Sequence, residues 1–185
     1  MKRAALILAR GFEESESLTI AAVLIRAGLT CELAGLEEEI VEGAHGIQVK
    51  CDRVLGEDLT DYDMIILPGG YGGVDAMSGN EVLIRILQEM DRKGKFVCAI
   101  CAAPAVLEKA GLLEGRRYTA YAGYENKIAQ GTYVKQQVVE DGNLITGMGP
   151  AMAYLFGYHL AAALGGDAET VKSKMLYNHS FKEVE

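Results

Sequence analysis

Four cysteines, three histidines and a group of glutamates are the residues whose types could do covalent or acid–base chemistry. Cys98 and Cys101 form a C-x-x-C, a spacing shared by redox and metal sites. If Cys98 lies mid-strand, three extended steps of ~3.3 Å put the two Cα atoms about 10 Å apart, beyond the ~7 Å reach of a disulfide. No second cysteine pair and no H-x-x-x-H is present to complete a zinc site, so no metal is expected. Cys98 reads as a core thiol. Cys101 is different, because it falls where an apolar run (96–100) gives way to Ala102-Ala103-Pro104, a helix start. A side chain at such a turn is held out from the backbone, like the serine of a nucleophile elbow. The helix N-terminus is expected to lower its pKa and favour the reactive thiolate. On spacing alone, one more buried cysteine fits equally well.

Glu13, Glu14 and Glu16 stand at the start of a helix, where the dipole favours acids. That accounts for two of the three. The remaining one, at a strand's carboxyl end, is free to point into a site as an acid/base. Pro68-Gly69-Gly70-Tyr71-Gly72-Gly73 lacks both the Lys-Ser/Thr of a P-loop and the G-x-G-x-x-G spacing, which argues against nucleotide binding. It reads either as a tight turn or as backbone brought close to a reacting oxygen. The histidines are weak candidates. His45 is in a turn, His179 is in an irregular tail, and His159 falls off the apolar stripe of its helix.

Strands and helices must alternate to position these loops. The runs 4–9, 64–67 and 96–100 are apolar without polar alternation, as in parallel strands buried on both faces. Leu18, Ala21, Ala22 and Ile25 follow helical spacing, with Gly28 as the stop. Asn80 caps a second helix striped by Leu83, Ile86, Leu87 and Met90, with Gly94 past its end. Pro104 opens a third helix that Gly111 ends. A fourth spans 151–164, with Phe156, Gly157, Leu160 and Leu164 on one face. Residues 44–50 and 133–139 read as hairpin or edge strands, 144–146 as a short strand, and the stretch from about 171 has no clear pattern. The fold class is α/β, a mainly parallel sheet with helices on both faces, and ligands belong beyond the strands' carboxyl ends.

Length fits one domain over residues 1–185. A net charge of −8 argues against a surface made for nucleic acid or anionic membrane. No apolar run reaches the roughly 18 residues of a membrane span, and the N-terminal run is shorter than the roughly 7–15 of a signal-peptide core. Four thiols without a disulfide pattern agree with a reducing, cytoplasmic setting.

Together these motifs resemble the ThiJ/PfpI family, in the branch that contains the human Parkinson-disease-associated deglycase. The matching pieces are the strand 3–9 with Gly11-x-Glu13-Glu14-x-Glu16, and Tyr62-Asp63 leading to Leu67-Pro68-Gly69-Gly70. Ala99-Ile100-Cys101-Ala102-Ala103-Pro104 and Gly149-Pro150 complete the set. The resemblance implies a flavodoxin-like three-layer sandwich, a homodimer with Cys51 near its interface, and no cofactor. It makes Cys101 the reactive cysteine, Glu16 the carboxyl that hydrogen-bonds it, and Gly70 and Ala102 the amides around a bound oxyanion. Gly69 and Tyr121 would line the pocket. Members act on methylglyoxal and glyoxal or on their early adducts, and are also described as oxidative-stress sensors and chaperones. Two departures stand out: Tyr121 where relatives often have histidine, and Met148 where arginine is common. Ala102 replaces the histidine of protease-like relatives, so peptidase activity is not expected.

The expected reaction is thiolate addition to the aldehyde of a 2-oxoaldehyde, a proton moved between adjacent carbons by Glu16, and release of a 2-hydroxy acid such as lactate. The alternative is a redox sensor or chaperone with little turnover, in which the same cysteine is oxidised to sulfinate.

Overall fold

Continuous apolar runs need cover on both faces, and here they supply the middle of a sheet. The computed structural model describes residues 2–180. In chain order, β1 (Arg3–Leu8), α1 (Glu14–Arg26) and β2 (Thr30–Gly35) lead into a hairpin, β3 (Ile40–Glu42) and β4 (Gln48–Lys50), and the short β5 (Arg53–Val54). Next come β6 (Met64–Leu67), α2 (Tyr71–Gly79), α3 (Glu81–Arg92), β7 (Phe96–Ile100) and α4 (Pro104–Lys109). The last part holds β8 (Arg117–Tyr118), β9 (Thr132–Tyr133), β10 (Val138–Asp141), β11 (Leu144–Gly147), α5 (Ala153–Ala163) and α6 (Ala168–Lys174).

The main sheet runs β10-β11-β7-β6-β1-β2-β5. Its pairings are parallel except for β10, which runs antiparallel to β11 at one edge. From β1 the chain steps outward to β2, then returns to lay β6 on the other side of β1. Connections therefore diverge between β1 and β6, the switch point at which open α/β sheets leave a crevice beyond the strand ends. One helical group is α1 packed on α5, with α6 against α5; the other is α2, α3 and α4. Gly157 lets α5 close on α1, since a Cβ there would lie 3.1 Å from the Cβ of Val23. The two groups cover the sheet as outer layers.

The helix punctuation matches its residues. Asn80 accepts the Leu83 N–H at 2.9 Å, Pro104 opens α4, and Gly28, Gly94 and Gly111 all have positive φ. Several expectations need correction. Residues 71–73 of the glycine loop open helix α2 rather than continuing the loop, because Gly72 and Gly73 let its first turn press onto the Arg10–Phe12 backbone, where added Cβ atoms would lie 3.1–3.3 Å from that chain. Residues 44–50 do belong to a hairpin, with 44–47 as its turn and 48–50 as its second strand, and β2 is a further strand that the apolar pattern does not mark. Only the ends of 133–139 are extended as strand. The helix expected from 151 begins at Ala153 after a 3-10 turn, Pro150–Met152, and the tail carries α6, capped by Asp167 on the Thr170 N–H.

Candidate active site

Cys101 is one of two non-glycine residues with positive φ among the described residues, at +64°. That left-handed conformation costs an ordinary residue about 1–2 kcal/mol, so its neighbours must hold it. They do so through the Cys101 N–H, which donates to the Gly147 carbonyl at 2.9 Å, and the Cys101 carbonyl, which accepts the Tyr121 N–H at 2.8 Å. The strand therefore ends in a sharp elbow just before α4. The Ala102 N–H is directed at the thiol.

Glu16 approaches from the first turn of α1 and is fully buried. Its Oε2 accepts the Gly69 N–H at 2.7 Å, and its carboxyl hydrogen-bonds with the Cys101 thiol. Its Oε1 has no hydrogen-bond partner among the described residues. Gly69 makes this approach possible, since a Cβ there would lie 2.7 Å from Cys101 Cβ and 2.8 Å from Glu16 Oε2. Gly70 turns away at φ +90°, and a Cβ on it would meet the Gly11 carbonyl oxygen at 2.2 Å. Small residues here are steric necessities.

Burial pushes the Glu16 carboxyl up to about 7, against the Gly69 N–H and the Cys101 hydrogen bond, which lower it. The expected lowering of the thiol pKa is reversed. Burial and the negative charge of Glu16 push Cys101 upward, and the Ala102 N–H opposes only part of that. Two anions in a dry pocket repel, so the pair holds one proton between them well above neutral pH. A thiolate can form here only if Glu16 carries that proton.

Cys101 opens onto a cavity of about 260 Å³, with Glu16 buried behind it. Gly70, Cys101, Tyr121 and Pro150 line it from the strand-end segments and Tyr71 from the start of α2; Glu13, Ala44 and His45 line it from the cap of α1 and the hairpin turn. Larger hollows, up to about 520 Å³, contain none of the site residues expected from the sequence. The DJ-1/PfpI family profile matches residues 2–163.

The chain belongs to the DJ-1/PfpI family.

Protein dj-1beta of Drosophila melanogaster is 39% identical over 169 residues, covering 89% of this chain and 90% of that one. The Parkinson disease protein 7 homolog of Danio rerio is 32% identical over 171 residues, covering 89% and 90%. The crystal structure of Drosophila DJ-1beta superposes with a TM-score of 0.91 at 38% identity, covering 95% of this chain and 97% of that chain. An oxidized form of Toxoplasma gondii DJ-1 gives 0.89 at 29% identity, covering 95% and 98%. The architecture is thus the flavodoxin-like α/β fold of DJ-1/PfpI proteins.

All six site residues expected from the DJ-1/PfpI resemblance lie around this spot. Cys101, Glu16 and Gly69 touch one another, Gly70 and Ala102 flank the thiol, and Tyr121 stands in the cleft with its ring against Gly149. Cys98, one turn of sequence away, is buried mid-strand and has its pKa raised well above normal by burial. All four cysteines are free.

The sequence reading assigns two of the three acids to the helix dipole, and the structure gives them side-chain and backbone partners as well. Glu14 is buried, with Oε1 accepting the His45 backbone N–H at 2.7 Å and Oε2 bonded to His45 Nδ1 at 2.6 Å. Glu13 caps α1 by accepting the Ser15 N–H, with Oε2 3.7 Å from His45 Nδ1. Each of the three acids thus has its own partner, and the dipole alone does not account for two of them. Glu13, Glu14 and His45 are the described residues grouped closely enough to hold a cation, within 4.8 Å. Both Glu14 oxygens and His45 Nδ1 are already committed to each other, so the group reads as an ion pair.

Proposed function

We propose that this chain converts 2-oxoaldehydes such as methylglyoxal and glyoxal, or their early adducts, into 2-hydroxy acids through Cys101, without a cofactor. The supporting observation is a buried, hydrogen-bonded thiol–carboxyl pair, Cys101 and Glu16, on a strained elbow. With Glu16 protonated, the thiolate adds to the aldehyde carbon to form a C–S bond, and the Gly70 and Ala102 amides face the developing oxyanion. Glu16 passes its proton to that oxygen and becomes a carboxylate. It then takes the hydrogen from the former aldehyde carbon and returns it to the neighbouring carbon. The first carbon is oxidised as the second is reduced, so no external oxidant is needed. Water hydrolyses the resulting thioester and releases lactate from methylglyoxal.

Proton NMR of purified protein with methylglyoxal tests this. Lactate should accumulate over many turnovers with wild type and not with Cys101→Ser; equal rates would defeat the proposal.

A second reading has its own support. The unpartnered, buried Glu16 Oε1 is placed to hold a proton toward an oxidised sulfur, and the similar Toxoplasma gondii DJ-1 is described as oxidized. In that redox sensor or chaperone, dilute peroxide would convert Cys101 stoichiometrically to sulfinate while methylglyoxal is left unconsumed. Either role suits a homodimer of single-domain chains in the cytoplasm, with Cys51 near the contact. No helix among the described residues is long and apolar enough to cross a membrane. Light scattering at micromolar concentration tests the dimer.

A further inference from the structure

The His45–Glu14 pair is built more firmly than a hairpin turn requires. A buried carboxylate costs free energy unless its oxygens are satisfied, and both oxygens of Glu14 are spent on one residue. One holds the backbone of His45 at 2.7 Å and the other holds its ring nitrogen Nδ1 at 2.6 Å. Backbone and ring are fixed together. Gly43 makes room for this, because a Cβ there would lie 2.3 Å from Glu14 Oε1. With Nδ1 committed, Nε2 is the ring nitrogen left for other work, and it has no partner among the described residues. The ring lines the same cavity as Cys101.

The reaction proposed above leaves one atom unattended. A 2-oxoaldehyde has two carbonyl oxygens, and the Gly70 and Ala102 amides flank the thiol that attacks only one of them. Negative charge must develop on the other when the hydrogen leaves the attacked carbon, and a donor is needed there. Tyr121, on the same cavity, offers a hydroxyl rather than an imidazole. We propose that His45, oriented by Glu14, donates a proton from Nε2 to the carbonyl oxygen adjacent to the carbon bonded to Cys101. This rests on the enzymatic reading of the site.

The step balances. As Glu16 takes the hydrogen from the first carbon, the electron pair forms the carbon–carbon double bond of an enediol. The second carbonyl oxygen gains the Nε2 proton, and His45 becomes neutral. When Glu16 returns its proton to the second carbon, the hydroxyl on the first becomes the thioester carbonyl. Its proton goes back to His45, directly or through water. His45 is the catalytic residue in this step, and Glu14 is a positioning residue.

The charged and titratable groups facing His45 are Glu13 and Glu14 from α1, Tyr71 from α2, and Cys101 and Tyr121 from the strand-end loops. The hydrogen bond to Glu14 and the two carboxylates raise the imidazole pKa above its ordinary value of about 6.5. The donor form therefore persists to higher pH than in a free histidine and is lost as pH rises further. The Glu16–Cys101 pair acts in the other direction, since its reactive singly protonated form is reached only as pH rises through about 7.

The deciding experiment is lactate formation from methylglyoxal, measured as kcat and KM across pH 5–10 for wild type, His45→Gln, His45→Ala and Glu14→Gln. His45→Gln should lose roughly 100-fold or more in kcat with little change in KM, as expected for a general acid. Its falling alkaline limb should vanish, and dissolved imidazole should restore part of the rate of His45→Ala. Glu14→Gln should move the alkaline limb to lower pH. A His45→Gln enzyme within about threefold of wild type, with its alkaline limb intact, would overturn the inference and leave the Cys101 reaction standing. Wild type that makes no lactate would overturn both. Peroxide labelling of Cys101 at the wild-type rate in His45→Gln shows that the elbow is undisturbed, so a lost rate is then due to the missing imidazole.

Discussion

Cys101 sits on the elbow after β7 and Glu16 in the first turn of α1, both almost wholly buried; His45 stands on a hairpin turn with its side chain 67% exposed. The first pair is held by backbone: an elbow at φ +64°, amide bonds from Gly69 and Tyr121, and glycines with no room for a Cβ. The second is held by one side chain, Glu14. Backbone placement is precise and intolerant. Side-chain placement leaves a group accessible and adjustable. In the proposed reaction the strand-end wall carries the bond-making step, whereas the hairpin wall sets rate and pH range.

The severest break is Cys101→Ser. It should remove lactate formation down to the solution background, a loss of at least about 10⁴-fold, because a serine hydroxyl beside Glu16 is a far weaker nucleophile. Stability under urea should barely change.

Glu16 separates the walls through stability. In the native protein its carboxyl titrates near 7, against 4.5 as the ordinary value. Between those values the folded state binds the extra proton, so stability is greatest at the acidic side and falls as pH rises through about 7. At 1.36 kcal/mol per pH unit the loss is on the order of 3 kcal/mol. Urea denaturation at pH 5 and pH 8 should show it in wild type and not in Glu16→Gln; equal slopes would mean that Glu16 is already ionised throughout.

Gly43→Ala attacks only the hairpin wall. The added methyl displaces the Glu14 carboxylate, and kcat should fall about tenfold, a fraction of a full general-acid contribution. Peroxide labelling of Cys101 should proceed as in wild type. Impaired labelling would show that the two walls are mechanically linked.

The smallest effect belongs to Tyr121→Phe. The ring keeps its place against Gly149, and losing one neutral hydroxyl should cost less than about tenfold in kcat/KM. A larger loss would give the tyrosine an active part.

Legibility in the sequence follows the same division. β6 and β7 could be read to the residue, because strands buried on both faces leave unbroken apolar runs. The elbow could be read too, since Cys101 is followed by Ala102-Ala103-Pro104. α2 could not, because two glycines in its first turn argue against a helix until the Arg10–Phe12 backbone that they accommodate is in view. The hairpin's first strand went unmarked, since short edge strands exposed to solvent carry little apolar pattern. His45 was set aside as a turn residue because its partner lies 31 positions away. Local patterns reveal backbone-held groups, whereas a side-chain pairing over that distance leaves no trace in spacing. The thiol pKa was misjudged for a related reason: the helix start is visible in sequence, but the depth of burial and the facing carboxylate are not.

The first turn of α1 has a further consequence. Glu13, Glu14 and Glu16 serve a cap, a hairpin and a thiol, and an α-helix advances about 100° per residue. The three destinations are therefore encoded as compass bearings around one axis. Replacing a residue there changes one bearing, but inserting or deleting one between Glu13 and Glu16 turns the later carboxyls away from their partners while the earlier ones stay in place. Descendants of this chain can vary the letters of that turn, yet its length is locked.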